Sequence, residues 1–85
     1  MLFDGKLFHM DIQNLIHMAN RIGEFFQSMP DQLEAEAGIA DHLAKFWEPR
    51  MLRLLLAHLD ESGAPTLMPL VRESIQRYRA SLMPA

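Results

Sequence analysis

Four histidines are the residues of this 85-residue chain best suited to bind a metal ion or to transfer a proton. They are His9, His17, His42 and His58. A zinc-binding pair on one helix needs two histidines about three or four positions apart, because that spacing places both rings on one face. No two of the four have this spacing, so the sequence predicts no local metal site. A site assembled from separate helices stays open, although the simpler interpretation places His17 and His42 on polar helix faces.

Other side chains that could carry chemistry are equally sparse. The chain contains no cysteine, which excludes disulfides, zinc–thiolate sites and iron–sulfur ligation by this chain. It has no glycine-rich phosphate-binding motif, and its serines lack a local nucleophile signature. The carboxylates Glu34, Glu36 and Asp41 are predicted to form a solvated acidic face rather than an acid–base pair. We therefore predict no catalytic, cofactor-binding or metal-binding residue, and a protein that is not an enzyme by itself.

Charge and hydropathy narrow the classes of partner. The formal net charge is −3, which argues against nucleic-acid binding, because proteins of that class carry a basic surplus. Residues 1–48 carry eight acids and three bases, whereas residues 49–85 carry three acids and five bases. No apolar run approaches the roughly 18–20 residues that cross a bilayer, and the first residues do not resemble a secretory signal. These features predict a cytoplasmic protein that contacts no membrane.

The elements that must position these residues begin with a helix at Asp11. An aspartate here can accept a hydrogen bond from a free backbone N–H of the first turn, which makes it a helix cap. Apolar residues then recur with helical spacing, at Ile12, Leu15, Ile16, Ala19, Ile22, Phe26 and Met29. Pro30 ends this helix. Residues 1–10 precede the pattern and are predicted to form a flexible N-terminal arm.

Three further helices are predicted. Asp31 and Glu34 fit a capping box, and the second helix runs over about 32–47. Its core face is predicted to carry Leu33, Ala37, Ala40, Leu43, Ala44 and Trp47. The third helix covers about 49–60, beginning at a proline whose missing N–H is harmless there, and the fourth covers about 69–82. The sequence predicts an all-α fold, a small bundle of about four short helices, as one domain that extends from residue 11 to residue 83.

The corner between the second and third helices has a composition suited to protein binding. Its sequence is Lys45-Phe46-Trp47-Glu48-Pro49-Arg50-Met51. Tryptophan and arginine concentrate binding energy at interfaces, because they combine large area with directional donors. Trp47 is predicted to lie in the core, Phe46 suits core and interface equally, and Arg50 is predicted to be exposed. The apolar arcs of the first and third helices, with Phe25 and Leu54 at their edges, are wider than a small bundle needs, which indicates a binding subunit.

Two blocks of this sequence resemble a known family. The first block is His17-Met18-Ala19-Asn20-Arg21-Ile22-Gly23-Glu24-Phe25-Phe26, and the second block is His42-Leu43-Ala44-Lys45-Phe46-Trp47-Glu48-Pro49-Arg50-Met51. Shorter matches follow at Leu56-Ala57-His58-Leu59 and Pro69-Leu70-Val71-Arg72. In this order and spacing, over about residues 11–80, the chain resembles the delta subunit of bacterial NAD-dependent formate dehydrogenase, a multi-subunit enzyme that contains molybdenum or tungsten.

The resemblance implies a role rather than a mechanism. In that family the large subunit holds the molybdopterin cofactor and most iron–sulfur clusters, and other subunits hold FMN and the NAD site. The delta subunit is expected to bind the large subunit and to support assembly, stability or cofactor maturation. No catalytic residue carries over to this chain. The residues expected at the partner interface are Arg21, Phe25, Phe46 and Arg50.

Two alternatives remain at this point. A free-standing regulatory module, in the form of a helix-turn-helix DNA binder, would use the arginines of the later helices, namely Arg50, Arg53, Arg72, Arg77 and Arg79. The net negative charge and the leucine-rich third helix, which leaves little room for base-reading side chains, argue against it. The isolated chain is also predicted to form a homodimer at high concentration, through the apolar face meant for its partner.

Overall fold

The computed structural model describes residues 11–83, which form five helices. These are α1 (Ile12–Phe26), α2 (Gln32–Phe46), α3 (Pro49–Ser62), α4 (Pro69–Arg77) and α5 (Arg79–Leu82). No strand occurs in this range, and none of its helices is long and apolar enough to span a membrane. The predicted all-α bundle is confirmed, with four main helices and a short fifth. The predicted arm over residues 1–10 lies outside the described residues.

The helices begin and end at residues with a physical reason to do so. The carboxylate of Asp11 accepts a hydrogen bond from the Gln13 N–H at 3.0 Å, and Asp31 caps α2 in the same way. Pro49 opens α3, where its missing N–H leaves no bond unmade. Gly63 ends α3 with φ of +76°, a left-handed conformation that favours glycine. The caps predicted at both aspartates are therefore present, and so is the proline predicted in the first turn of α3.

The core lies between the four main helices. Its fully or nearly buried side chains include Leu15, Ile16, Ile39, Leu43, Leu55, Leu56, Leu59, Leu67, Val71 and Ile75. Trp47 is also buried, which confirms its predicted place in the core. The stripe predicted for α1 is largely correct, since its middle residues are buried and Ile12, Ile22 and Phe26 pack against the core as half-buried residues.

The core face predicted for α2 is correct only in part, since Ala40 and Leu43 are buried as expected. The residues of α2 that are buried are Ala35, Glu36, Ile39, Ala40 and Leu43. Leu33 and Ala44, which were expected inside, are exposed. Glu36 projects into the apolar arc of the sequence pattern, and its burial is explained by the hydrogen bonds that it accepts from Ser74 and Arg77 of α4.

The fourth predicted helix is broken at Tyr78. This residue has φ of −105° and ψ of 20°, outside the helical range, and α5 starts at the next residue. The break separates two arginines that bind different helices. Arg77 pairs with Glu36 of α2, whereas Arg79 makes two hydrogen bonds to Asp60 of α3, at 2.6 and 3.0 Å.

The loop between α3 and α4 is held against α1 by one amide side chain. The Nδ2 of Asn20 donates to the Thr66 carbonyl at 3.0 Å, and its Oδ1 accepts from the Met68 N–H at 2.8 Å. Nearby, a Cβ on Gly23 would lie 2.5 Å from Cγ2 of Val71. Only a glycine permits so close an approach of α4 to α1, so Asn20 and Gly23 of the first block both serve the fold.

Candidate functional site

The most exposed large apolar side chains of the described residues lie along the contact between α1 and α2. Phe25 is 76% exposed and Phe46 is 70% exposed. We define the aromatic surface as these two rings and their neighbours, namely Arg21, Ile22, Phe25, Phe26, His42 and Phe46. All of them except Phe46 line a shallow, open depression of about 490 Å³.

Helix α1 supplies two rows of this surface at helical spacing. Arg21 and Phe25 are four residues apart, and so are Ile22 and Phe26, so each pair occupies one face of the helix. The rings of Phe25 and Phe26 meet edge to face, with centroids 5.1 Å apart and planes at 86°. This is a favourable arrangement for two aromatic rings, because the positive edge of one meets the negative face of the other.

Helix α2 supplies a third row, spaced four residues apart, that contains Gly38, His42 and Phe46. A Cβ on Gly38 would lie 2.4 Å from Cε1 of Phe26, so the ring of Phe26 rests directly on the backbone of α2. One turn along, the rings of His42 and Phe46 pack with centroids 4.8 Å apart. The glycine in the middle of α2, which costs about 1 kcal/mol relative to alanine in a helix, is therefore explained by the ring that lies on it.

This arrangement suits binding of another protein. Two phenylalanine rings in water present apolar area that a partner can bury, and Ile22 and Phe26 line the depression beside Phe25. Arg21 stands beside Phe25 and can donate to a carboxylate of a partner. Large aromatic area next to an arginine is the composition found at the energetic centres of protein interfaces.

Three of the four residues predicted at the interface meet on this surface. Arg21 and Phe25 line the depression, and Phe46 packs on His42 at its border. Arg50 is exposed, as expected, but it lies in the first turn of α3 and does not line the depression. That these residues contact a partner stays a prediction.

Three members of the aromatic surface are not found by the sequence analysis. Ile22 and Phe26 are assigned there only to the core stripe of α1, and His42 is assigned to an ordinary polar face. The signal that could have found them is the spacing of four between Gly38, His42 and Phe46. A glycine at the head of such a row, inside a helix, indicates that a bulky group lies on the helix there.

The buried acid of α2 overturns the prediction of a wholly solvated acidic face. Glu36 is only 1% exposed, while Glu34 and Asp41 are exposed as expected. Arg77 Nε donates to its Oε1 at 2.6 Å, and the Gln32 amide donates to its Oε2 at 2.9 Å. The hydroxyl of Ser74 donates to the backbone carbonyl of the same residue at 2.6 Å. We call these four residues, Gln32, Glu36, Ser74 and Arg77, the Glu36 cluster.

The hydrogen bonds of the Glu36 cluster shift the pKa of both charged groups, Glu36 and Arg77. The Gln32 amide, and then the Arg77 guanidinium, lower the pKa of the Glu36 carboxyl, against a desolvation that raises it. The same carboxylate raises the pKa of Arg77. Both groups therefore stay charged, and each is satisfied within the chain. The cluster joins α2 to α4 and leaves no reactive group available for chemistry.

Three arginines in the second half of the chain also bind groups within the chain. Arg72 donates from one Nη atom to the carbonyls of Ala64 and Leu67, at 3.2 and 3.1 Å, and so closes the loop before α4. With Arg77 and Arg79 paired to acids, three of the five arginines that suggested DNA binding are used to hold the fold. The helix-turn-helix alternative has no support in this arrangement.

The described histidines do not converge. His17 is exposed, His42 belongs to the aromatic surface, and His58 lies 3.3 Å from the hydroxyl of Ser62 at the end of α3. Between residues 11 and 83, no group of three or more histidine, aspartate and glutamate side chains is placed to hold a metal ion.

Comparison with known proteins gives one match. The family model described as NADH-dependent formate dehydrogenase delta subunit FdsD matches residues 14–75 of this chain. The matched part contains the first and second blocks and all members of the aromatic surface. No curated protein and no solved structure matches the chain.

Proposed function

The chain belongs to the delta-subunit family of NADH-dependent formate dehydrogenase, and on this premise we propose that it is an accessory subunit without a catalytic centre of its own. It binds the large, molybdopterin-containing subunit of the enzyme. By binding, it supports the assembly, the stability or the cofactor maturation of that subunit. Formate chemistry belongs to the partner subunits, which carry molybdopterin, iron–sulfur clusters and FMN.

The observation that carries this proposal is the aromatic surface. The first block contributes Arg21, Phe25 and Phe26, and the second block contributes His42 and Phe46. The two blocks are far apart in sequence, yet their exposed members meet in one place. If Phe25 and Phe46 served the core alone, their rings would not be more than two-thirds exposed to water.

The composition of the chain agrees with a role in binding. It has no cysteine, so it offers no thiolate to an iron–sulfur cluster. The polar residues that might have served catalysis, above all Glu36 and Arg77, are paired with each other. In the proposed complex the rings of Phe25 and Phe46 are the anchors, Arg21 pairs with a carboxylate of the large subunit, and Arg50 extends the contact beyond Phe46.

Co-purification with a tagged large subunit tests this proposal. We expect the double variant Phe25→Ser/Phe46→Ser to bind on the order of 100-fold more weakly, because each buried aromatic anchor contributes about 1–2 kcal/mol. The matched control is Leu33→Ser, which removes a large apolar side chain that is 55% exposed on another side of α2. The control should bind as the natural chain does, and thermal unfolding should show that both variants are folded.

The accessory role has its own test in the host enzyme. Without this subunit we expect less assembled complex, or a large subunit with less molybdopterin. Unchanged assembly, cofactor content and formate oxidation would contradict the role. Equal retention of the double variant and of Leu33→Ser would contradict the assigned surface but leave the role intact.

A further inference from the structure

The aromatic surface has the arrangement of groups that a symmetric contact with a second copy of this chain requires. A two-fold dimer joins the same surface of both copies, so each group on that surface must meet a complementary group elsewhere on it. The sequence predicts a homodimer through an apolar face without saying which groups would meet. The register between α1 and α2 supplies this information.

Helices α1 and α2 run antiparallel with a defined register. Gly38 of α2 lies against the ring of Phe26 of α1. Four residues later on α2, His42 lines the same depression as Ile22, which is four residues earlier on α1. Each step forward along α2 is therefore a step backward along α1, and the level of any residue along the pair can be read from its number.

A charged group stands on each helix beside the exposed rings. Arg21 of α1 is exposed and makes no ion pair within residues 11–83. Asp41 of α2 is exposed next to His42, and its carboxylate lies 3.1 Å from Nζ of Lys45 on the same helix. Both side chains of this pair are more than 60% exposed, so the pair contributes little to stability and leaves the carboxylate open to a second cation.

One two-fold axis brings these charges together. With the two surfaces face to face, α1 of one copy lies over α2 of the other. An axis at the level of Ile22 and His42 has Arg21 one residue to one side of it and Asp41 one residue to the other side. The rotation therefore places Arg21 of each copy over Asp41 of the second copy, where a guanidinium and a carboxylate can form two parallel hydrogen bonds.

The same axis brings the exposed rings together, although it was chosen from the charges alone. Phe25 lies three residues to one side of the axis, about 4.5 Å along the helix. Lys45 lies three residues to the other side, and Phe46 is the next residue. Phe25 of each copy therefore meets Lys45 and Phe46 of the second copy, which covers both rings and sets a cation near an aromatic face.

We propose that the free subunit forms a two-fold dimer through the aromatic surface, in which Arg21 of each copy pairs with Asp41 of the other. The dimer is a property of this chain alone and does not require the proposed function. One consequence does rest on that function: the large subunit, which binds the same surface, must separate the two copies.

Charge reversal tests the pairing, with the dissociation constant of the dimer measured by sedimentation equilibrium. In Arg21→Asp two acids face each other at both symmetric contacts, and in Asp41→Arg two cations do. We expect each variant alone to dimerise at least about tenfold more weakly than the natural chain, because like charges across an interface oppose binding. An equimolar mixture of the two variants should regain the dimer, since an acid then meets a cation at both contacts.

Two further variants complete the experiment. Glu61→Arg is the matched control, because it reverses an exposed acid near the end of α3, outside the aromatic surface, and it should dimerise as the natural chain does. Phe25→Ser/Phe46→Ser keeps every charge and should dimerise at least about tenfold more weakly, because the rings no longer bury each other. All exchanged side chains are exposed, so thermal unfolding should show that every variant is folded.

The contrary outcomes are equally clear. A natural chain that stays monomeric at the highest concentration that remains in solution would overturn the proposal. So would a dimer that both charge reversals leave unchanged, because it would use another face. A mixture of Arg21→Asp and Asp41→Arg that fails to regain the dimer would show that these two residues do not meet.

Addition of the large subunit separates this proposal from the proposed function. We expect a complex that contains one copy of this chain. A complex that contains two copies would keep the dimer and contradict the surface assigned to the large subunit. Absence of any complex, with the dimer regained in the mixture of variants, would contradict the proposed function and leave the dimer intact.

Discussion

The two sides of helix α2 differ in which side chains are buried and which are exposed to water. On the side that faces α4, Glu36 is buried, and its oxygens accept hydrogen bonds from Gln32 and Arg77. On the side that borders α1, His42 and Phe46 pack on each other and the ring of Phe46 remains 70% exposed. Polar groups are thus satisfied inside the chain, while aromatic rings are left in water.

This contrast shows which residues of the family blocks serve the fold and which are free for a partner. Motif residues with polar side chains are commonly the first candidates for function. In this chain Asn20 holds the loop before α4 and Arg72 closes that loop, so both are structural. The candidates for contact are apolar, Phe25 and Phe46, together with Arg21 beside them.

The largest effect is expected from the two helical glycines, of which Gly23 of α1 packs against α4 and Gly38 of α2 packs against α1. In Gly23→Ala the new Cβ would lie 2.5 Å from Val71, which is fully buried and cannot move aside. Overpacking of this kind costs up to about 3 kcal/mol, and the helical preference for alanine returns only about 1 kcal/mol. We expect a net loss of about 2 kcal/mol in the free energy of unfolding, measured in urea.

Gly38→Ala is the matched comparison. Its Cβ would meet the ring of Phe26, which is half-buried at the rim of the depression and can swing outward. We expect little change in the urea midpoint but weaker retention by the large subunit, because the aromatic surface changes shape. Equal losses of stability in the two variants would show that the contact between α1 and α2 is as rigid as the contact between α1 and α4.

The sequence predicts where the helices begin better than it predicts which face of each helix is buried. The ends of α1 and α3 follow from Asp11 and Pro49, because a cap and a proline act through neighbouring backbone groups only. The sequence places Ala40 and Leu43 on the core face of α2, but it does not explain Glu36 there, because the cation that pairs with this acid is Arg77, 41 positions later. The break at Tyr78 is likewise flanked by contacts between distant residues, since Arg77 pairs with Glu36 and Arg79 pairs with Asp60.

The aromatic surface, too, can be predicted only in part from the sequence. Arg21, Phe25 and Phe46 were named as interface residues, and their convergence depends on α1 and α2 being antiparallel. Helical projection gives the exposed edge of each helix, but it does not give the register between two helices. That register is set by the ring of Phe26 on Gly38, a contact that appears only in three dimensions.

A smaller effect is expected from breaking the Glu36 cluster, and its two partners should not be equivalent. Arg77→Ala leaves a carboxylate that is 1% exposed with the Gln32 amide alone, and a buried charge without its cation is costly. Glu36→Ala leaves Arg77, whose side chain is 52% exposed, free to be hydrated. We expect a lower urea midpoint for Arg77→Ala than for Glu36→Ala. The reverse order would mean that the bond fixes the position of α4 rather than neutralising a buried acid.

The smallest effect is the dependence of stability on pH that the Glu36 cluster contributes. The folded chain lowers the pKa of Glu36, through Gln32 first and Arg77 next, so this group binds a proton less readily when folded than when unfolded. Its contribution to stability is present above the ordinary glutamate pKa of about 4.3 and is lost as the pH falls through the lower folded pKa. We expect the urea concentration at the unfolding midpoint to decrease when the pH is lowered below about 4. The decrease should be less steep in Glu36→Gln, which keeps the shape of the side chain without the charge.

The double variant Phe25→Ser/Phe46→Ser should show the same acid-dependent decrease as the natural chain, since no carboxylate is among the residues that form the aromatic surface. An equally steep fall in Glu36→Gln would assign the acid sensitivity to other carboxylates and would reduce the difference between the two sides of α2 to one of packing.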